Sequence, residues 1–383
     1  MNRVRVLRGK ALLGLHMEPA TVVIDDGHIA AIHRGHVSTD TFAEDVRVDD
    51  AHYISPGLID LQVNGGNGAE IGDSSDAVDH VSAWLPETGV TAWLPTVVTA
   101  LSDFYAGVFD AWSRVDAEKG AVPLGYHLEG PFISPEKKGA HQLRYIESAS
   151  EALIERWTAQ DCVRIVTLAP ERHGALDHIR QLVEAGVVVS LGHTNATYEE
   201  YVAGIDAGAT KATHLFNTMT SIHHRTPGAM VAALTDDRVT AGVIPDGIHT
   251  HPAMVRLAID AKGVDRMLIV TDMMAAAGLE PGTYGLGGQE VSVDETTARL
   301  DDGTLAGSVI TMDAAIRNIL GWSHASLAET LYMATAVPAR VIGERDRGLL
   351  HAGALADIIV WDRDLNVQET IIGGQSIYRR GTN

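Results

Sequence analysis

The chain is poor in cysteine, in long apolar runs and in positive charge, and each shortage excludes a class of protein. Its 383 residues include one cysteine, Cys162, so an internal disulfide is impossible and a reducing cytoplasm is the expected compartment. No apolar stretch approaches the roughly 18 residues that would span a membrane. Lysine and arginine number 29 against 50 aspartates and glutamates, and the formal net charge of −21 argues against nucleic acids and anionic membranes as partners.

Strand-like and helix-like runs alternate through the middle of the chain. Eight short apolar runs predict strands, and they cover residues 57–61, 90–95, 124–129, 163–168, 187–192, 210–214, 239–244 and 267–271. Helical stretches at 151–158, 174–185 and 199–207 lie between several of them. Alternation of this kind implies parallel strands with crossover helices, and eight strands favour a closed (β/α)8 TIM-like barrel over a doubly wound sheet.

The two ends of the chain show short strands instead. Residues 21–24 and 28–32 flank the turn Asp25-Asp26-Gly27, which is a hairpin signal, and residues 357–378 have the same strand-and-turn character. Neither end is long enough to hold a core alone, so we expect both to fold together as one small β-sandwich domain. The predicted domains are therefore 1–54 and 346–383 for the two parts of this β-domain and 55–345 for the barrel.

Polar residues follow several of the predicted strands at the point where each strand ends. Glu129 closes the third run, His193 and His214 follow the fifth and sixth, and Asp272 closes the eighth. A single histidine in such a place is more often a structural hydrogen-bonding group than a ligand. Three candidate ligands at the same mouth of a barrel instead predict a divalent metal site, because two imidazoles and a carboxylate with an open position are typical of catalytic zinc.

Asp272 has two possible roles. It precedes Met273-Met274-Ala275-Ala276-Ala277-Gly278, so it could cap a helix by accepting bonds from the first amides. It could also be the general base that takes a proton from water and passes it to a leaving amine. We favour the catalytic role, which does not exclude the first.

Several segments resemble the amidohydrolase superfamily. Residues 56–65 (PGLIDLQVNG) resemble its first strand, where the usual signature is His-x-His. Residues 127–132 (HLEGPF), 192–194 (GHT), 213–217 (THLFN), 271–272 (TD) and 302–308 (DGTLAGS) extend the resemblance over nearly the whole chain. Within the superfamily, the combination resembles the N-acetylglucosamine-6-phosphate deacetylase family.

This resemblance implies hydrolysis of the acetamide of N-acetyl-D-glucosamine 6-phosphate by metal-bound hydroxide, with Asp272 as general base and acid. It implies one divalent metal on Glu129, His193 and His214, with zinc as the expected ion and iron, cobalt or manganese as alternatives. Gln62 and Asn64 stand where two histidines would bind a first metal. Neutral amide oxygens are poor ligands for zinc, so the substitution bears on whether a second metal binds.

The resemblance also implies a catalytic contact from His141 to the acetamide carbonyl, and a homodimer that shares its phosphate pocket. The implied substrate contacts are Ala140, His141, Asn217, Thr218, Arg225, Asp246, Gly247, Ile248, His249, Leu305, Ala306 and Gly307. Arg225 suits the phosphate on physical grounds, because a guanidinium binds phosphate in a bidentate way and an acidic chain must supply positive charge locally. His223 and His224 either add to this charge or lie in a solvated loop.

Two other functions stay open. The barrel could hydrolyse another amide, such as the galactosamine isomer or a cyclic amide. Cyclic-amide relatives often use a carboxylated lysine bridging two metals, where this chain has Glu129. The chain could also be a non-catalytic homologue that binds a sugar phosphate, although such proteins usually lose metal ligands or the aspartate of the eighth strand.

Overall fold

The computed structural model describes residues 4–37, 47–147 and 150–381. Parts of the predicted terminal domains, residues 1–3, 38–46 and 382–383, lie outside the described residues. Within the described ranges, no helix combines the length and the apolar character needed to cross a membrane.

The N-terminal segment forms a set of long strands. They are β1 (Arg5–Leu13), β2 (His16–Asp25), β3 (His28–Arg34) and β4 (Arg47–Pro56). Strands β2 and β3 pair in an antiparallel way around Asp26 and Gly27, both of which have positive φ, so the predicted hairpin is confirmed.

The middle of the chain forms the barrel. The strands of this region are β5 (Leu58–Val63), β6 (Gly65–Gly66), β7 (Ala69–Glu70), β8 (Val90–Val98), β9 (Val122–Pro123), β10 (Tyr126–Glu129), β11 (Val163–Leu168), β12 (Val188–Leu191), β13 (Lys211–Ala212), β14 (Thr240–Val243) and β15 (Met267–Ile269), of which β6 and β7 form a separate two-stranded sheet. Eight of them pair side by side in the order β5-β8-β10-β11-β12-β13-β14-β15, through parallel ladders. All eight predicted strands are therefore confirmed.

The first and last barrel strands meet through the residues that follow β15. Asp272 N donates to Gln62 O at 2.9 Å, and Asn64 N donates to Met273 O at 2.8 Å. These two bonds bring the segment after the eighth strand against the first strand, which gives a nearly closed barrel.

Helices surround the barrel. They are α1 (Ser75–Trp84), α2 (Phe104–Trp112), α3 (Leu143–Glu147), α4 (Ala152–Thr158), α5 (Ala175–Glu184), α6 (Tyr198–Asp206), α7 (Gly228–Thr235), α8 (Pro252–Lys262), α9 (Met312–Trp322), α10 (Leu327–Ala334) and α11 (Ala336–Val341). Helix α5 buries Ala175, His178, Ile179 and Leu182, the i, i+3, i+4, i+7 stripe of an amphipathic helix. Helix α6 begins at a capping box formed by Thr197 and Glu200.

A small antiparallel sheet follows the eighth barrel strand. It contains β16 (Gly282–Leu286), β17 (Gln289–Val293) and β18 (Ala298–Arg299). Gly287 and Gly288 form its first turn with φ of +60° and +72°, the conformation of a two-residue hairpin turn. The sheet has its own buried cluster, which includes Leu286 and Ala306.

The two ends of the chain fold together, as predicted. The C-terminal strands are β19 (Ile358–Trp361), β20 (Val367–Ile372) and β21 (Gln375–Arg379), and they join the N-terminal strands in one continuous sheet of order β21-β20-β19-β4-β1-β2-β3. Residues from both ends, among them Leu7, Ile54 and Ile358, share a buried core. The domain boundaries near residues 54 and 345 stay predictions.

Candidate active site

The three predicted metal ligands converge at the mouth of the barrel. Glu129 Oε1 lies 3.1 Å from His214 Nε2 and 3.3 Å from His193 Nε2, and the two imidazole nitrogens are 3.1 Å apart. All three side chains are buried. Three ligand atoms this close together, with a carboxylate among them, form a pocket that suits one small cation.

The backbone at these positions is unusual. Glu129 is the last residue of β10, whereas His193, His214 and Asp272 each come two or three residues after the end of a strand. These three residues have φ of +46°, +23° and +52°, a left-handed region that non-glycine residues rarely occupy. Such conformations cluster at functional sites, where the surrounding structure holds them in place.

Hydrogen bonding assigns the nitrogens of His193. Its Nδ1 lies 2.9 Å from the carbonyl oxygen of Lys137, so Nδ1 carries the hydrogen and Nε2 keeps its lone pair toward Glu129 and His214. Gly139, with φ of +53°, allows this approach, because a Cβ there would lie 3.2 Å from His193 Cε1. His214 Nδ1 is buried and has no hydrogen-bond partner among the described residues.

The electrostatics of the cluster favour a cation. Burial raises the pKa of Glu129, but the adjacent His193 and His214 side chains outweigh burial and hold this pKa well below its ordinary value. An ionised carboxylate therefore faces two imidazole nitrogens, one of which presents a lone pair. This donor set fits a catalytic zinc ion or a similar divalent metal.

Asp272 lies beside the ligand cluster and is buried. Burial, and then the negative charge of Glu129, raise the pKa of Asp272 above its ordinary value. The suggestion that Asp272 caps a helix is wrong, because residues 275–278 form a turn and no helix begins between 272 and 281. A buried carboxylate with a raised pKa suits a group that must take up and release a proton.

His141 has a defined tautomer. Its Nδ1 accepts a hydrogen bond from the Thr99 backbone N–H at 3.2 Å, so the hydrogen of a neutral ring is on Nε2. Burial, and then the charge of His193, lower the pKa of His141 to about 3, so the ring is neutral at physiological pH. Its Nε2 lies 4.0 Å from Glu129 Oε2, and this N–H therefore points toward the ligand cluster.

A cavity of about 220 Å³ opens above these groups and brings most of the predicted site together. The predicted residues that line it are Glu129, Ala140, His141, His193, His214, Asn217, Thr218, His249, Asp272, Leu305 and Gly307. His249 is held by Asp246, whose Oδ2 lies 2.6 Å from His249 Nδ1. Asp246 therefore does not line the cavity itself but orients His249, which does.

Other predicted residues do not line this cavity. Gly247 and Ile248 belong to the turn that leads to His249, and Ala306 is fully buried between two lining residues. Arg225 lies in an exposed segment, with Nη1 3.0 Å from His224 Nε2, and lines a separate depression beside α6 and α7. Within one copy of the chain, this guanidinium is not part of the main cavity.

Sequence analysis missed several lining residues, among them Thr99, Gln142, Leu286, Gly287 and Gln289. The hairpin β16–β17 and the loop after β10 supply most of them and are joined by Gln289 Nε2, which donates to Ala140 O at 2.7 Å. The glycine pair at 287–288 is typical of a hairpin turn. No sequence signal showed that this turn would lie over the barrel mouth.

A polar network fills the barrel beneath the site. His127 Nδ1 donates to Leu61 O at 3.0 Å, so His127 Nε2 accepts from Thr167 Oγ1 at 2.7 Å. Thr167 then accepts from Thr213 at 2.7 Å, and Ser190 donates to Thr213 at 2.5 Å. The buried Lys211 ammonium, 3.5 Å from Ser190 Oγ, supplies the donor at the end of this chain. The network connects the strands that carry the three ligands.

Comparison with known proteins agrees with this geometry. The amidohydrolase family matches residues 53–377. The chain is 38% identical to N-acetylgalactosamine-6-phosphate deacetylase of Escherichia coli O157:H7, over 97% of this chain and 98% of the relative. It is 35% identical to N-acetylglucosamine-6-phosphate deacetylase of Bacillus subtilis strain 168, over 92% and 93% of the two chains.

Solved structures of deacetylases have the same fold as this chain. N-acetylglucosamine-6-phosphate deacetylase from Pasteurella multocida superimposes with a TM-score of 0.92 at 30% identity, covering 97% of this chain and 99% of its own. A mutant of the Mycobacterium smegmatis enzyme in complex with N-acetyl-D-glucosamine-6-phosphate gives 0.92 at 34% identity, covering 98% and 100%. A converging ligand cluster in a barrel of this type, with family similarity over most of the sequence, shows that the chain is an enzyme of the amidohydrolase family.

Proposed function

We propose that this enzyme hydrolyses the acetamide of N-acetyl-D-glucosamine 6-phosphate to D-glucosamine 6-phosphate and acetate. The observation that carries the proposal is the convergence of Glu129, His193 and His214 in one cavity with Asp272 and His141. The names of the relatives supply the substrate class.

The metal in this proposal is one divalent ion, with zinc first and iron, cobalt or manganese as alternatives. Glu129 Oε1 and the Nε2 atoms of His193 and His214 would hold it. When bound, such an ion lowers the pKa of water and polarises a carbonyl group. Gln62 and Asn64 direct amide nitrogens at neighbouring carboxylates, which supports a single ion over two.

His141 and Asp272 have separate roles, which are stabilisation of negative charge and transfer of a proton. His141 Nε2–H donates to the acetamide oxygen and stabilises the negative charge that develops there. Asp272 accepts the proton of the attacking water and returns it to the nitrogen of the departing amine. Its buried carboxylate, with a raised pKa, suits both directions of transfer.

The remaining cavity residues would hold the sugar and its phosphate. Asn217 and Thr218 are the proposed phosphate donors, and His249, Leu305 and Gly307 the proposed walls of the sugar site. No lysine or arginine from the described ranges lines the cavity, although a phosphate needs a positive partner in so acidic a chain. We therefore propose that Arg225 reaches the phosphate from a second copy of the chain, in a homodimer.

The galactosamine isomer is a second candidate substrate. The Escherichia coli relative, at 38% identity, is named for N-acetylgalactosamine 6-phosphate, whereas the Bacillus subtilis relative is named for the glucosamine compound. The two sugars differ at one hydroxyl. The chemistry of Asp272 and the metal ligands is the same for either.

Acetate release tests the proposal directly. The purified protein is assayed with N-acetylglucosamine 6-phosphate, the galactosamine isomer and unphosphorylated N-acetylglucosamine, with metal content measured on the same sample. Rapid turnover of the first substrate alone would support the proposal. Preferential turnover of the isomer would favour the second candidate, and no turnover by metal-loaded protein would refute both. An Arg225→Ala variant should raise KM for the phosphorylated sugar only.

A further inference from the structure

We propose that Gln62 and Asn64 are positioning residues that orient the catalytic carboxylate of Asp272. Asn64 Nδ2 donates to Asp272 Oδ1 at 2.8 Å, and Gln62 Nε2 donates to the same oxygen at 3.0 Å. Gln62 Nε2 also donates to Glu129 Oε1 at 3.1 Å. This amide pair, Gln62 and Asn64, therefore connects the general base to a metal ligand. The inference rests on the proposed deacetylation.

The orientation of both amides follows from the chemistry of their partners. An ionised carboxylate only accepts hydrogen bonds, so the nitrogen ends of Gln62 and Asn64 must face it. The opposite ends, Gln62 Oε1 and Asn64 Oδ1, are buried with no partner among the described residues. Unpaired buried acceptors are unfavourable and uncommon. The unpaired oxygen ends therefore do not determine how the two amides are oriented. The carboxylates of Asp272 and Glu129, which need donors, determine it.

The two oxygens of the Asp272 carboxylate have different surroundings and therefore different roles. Oδ1 accepts from both members of the amide pair, whereas Oδ2 accepts no hydrogen bond from the described part of the chain. Oδ2 is therefore the oxygen left for the proton of the attacking water. The backbone of Asp272 is held by β5 as well, because Asp272 N donates to Gln62 O.

This arrangement assigns a role to the residues that depart from His-x-His at positions 62 and 64, where β5 ends. An amide nitrogen has no lone pair to offer a metal, and in both residues the nitrogen faces the site carboxylates. At these positions the chain therefore supplies hydrogen-bond donors to the base in place of metal ligands. Period two along a strand sends Gln62 and Asn64 to the same side, which explains why both reach Asp272.

Substitutions at Asn64 test the inference, because among the described residues this side chain bonds only Asp272. Asn64→Leu removes the donor with little change of volume, and Asn64→Ala removes the whole side-chain amide. For both we expect kcat with N-acetylglucosamine 6-phosphate to fall about 100-fold, the cost of a misplaced catalytic group. KM and metal content should not change. Asn64→Gln keeps an amide N–H donor and should recover part of the lost kcat.

A matched control exists in the β-domain. Asn366 Nδ2 and Gln368 Nε2 both donate to Asp362 Oδ2, at 3.0 and 2.9 Å, so Asn366→Leu removes the same kind of bond far from the cavity. Its kcat should equal that of the wild type. Wild-type kcat in metal-loaded Asn64→Leu or Asn64→Ala would overturn the inference, as would parallel loss of metal and activity. An inactive wild type would instead refute the proposed function.

Discussion

At the scale of single residues, the site depends on side chains that leave their strands in strained conformations. His193, His214 and Asp272 have φ between +23° and +52°. Each such residue costs about 1–3 kcal/mol and persists only where its surroundings hold it. For His193, the bond from Nδ1 to Lys137 O is one such restraint. The proposed chemistry thus uses three of the chain's left-handed non-glycine positions.

Asp272→Asn tests the proton-transfer role. Asparagine keeps the shape of the side chain but cannot take up a proton at neutral pH, so kcat should fall by about 10²–10⁴. Metal content and substrate binding should stay near those of the wild type, because the three ligands are untouched. Steady-state acetate release with metal analysis measures both. A variant with a near-normal rate would remove Asp272 from the mechanism.

The ligands could be predicted from sequence because each is a polar residue at the end of an apolar run. The atoms that orient them could not. Lys137 O and the Thr99 N–H are backbone groups from distant segments, and no side-chain pattern shows them. The separation of Arg225 from the cavity could not be predicted either, since it depends on how the loop after β13 folds.

At the scale of the element, alternation along the barrel strands explains the polar interior. His127 and Glu129 in β10 are two residues apart, and so are Lys211 and Thr213 at β13, so both pairs face the inside of the barrel. Burial lowers the pKa of Lys211 to about 8, although the carboxylates of Glu129, Asp272 and Asp60 oppose that shift. The ammonium is therefore less stable in the fold than in water.

Lys211→Met should stabilise the protein. At pH 7 the variant avoids burying a charge, and Lys211 makes no ion pair within the described ranges, so we expect about 1–4 kcal/mol in the free energy of unfolding. The wild type should gain stability as pH rises from 8 to 10.5, where only the unfolded chain keeps the lysine proton. Lys211→Met should not show this rise in stability with pH. Urea unfolding at pH 7 and 10 measures both effects, and a destabilised variant would contradict the account.

The sequence predicted the existence of all eight barrel strands, but some ends were wrong by two residues. The sixth was expected over 210–214 and spans Lys211–Ala212, and the eighth was expected over 267–271 and spans Met267–Ile269. Apolar character continues beyond the hydrogen-bonded ladder at these points. The strand ends where the backbone turns to place His214 and Asp272, and residue type does not show that turn.

At the scale of the whole molecule, the two ends of the chain are joined by a buried ion pair. Arg5 in β1 donates to both oxygens of Glu369 in β20, at 2.8 and 2.6 Å, and Arg379 donates to Glu369 Oε1 at 2.8 Å. Burial raises the pKa of Glu369, but these bonds outweigh it and hold the pKa at about 2. Sequence analysis predicted that the ends meet, because neither could hold a core alone, but it did not identify this contact.

Glu369→Gln should destabilise the protein by about 1.5–3 kcal/mol at pH 7, because buried Arg5 loses its bidentate carboxylate partner and keeps the ion pair with Asp49. In the wild type, the contribution of Glu369 is complete above its ordinary pKa of 4.5 and is lost as pH falls toward 2. The variant should show a weaker acid dependence in this window. Thermal unfolding between pH 7 and 3 checks both, with Glu18→Gln, at the exposed pair with Arg34, as the control.

The most direct test of the central claim is a metal titration of the metal-free enzyme. Zinc is added in steps while acetate release from N-acetylglucosamine 6-phosphate and bound metal are measured together. Activity should rise in proportion to bound zinc and stop rising at one ion per chain, and Glu129→Gln and His214→Asn should neither bind zinc tightly nor gain activity. Full activity without metal, or a rise that continues to two ions per chain, would contradict the central claim.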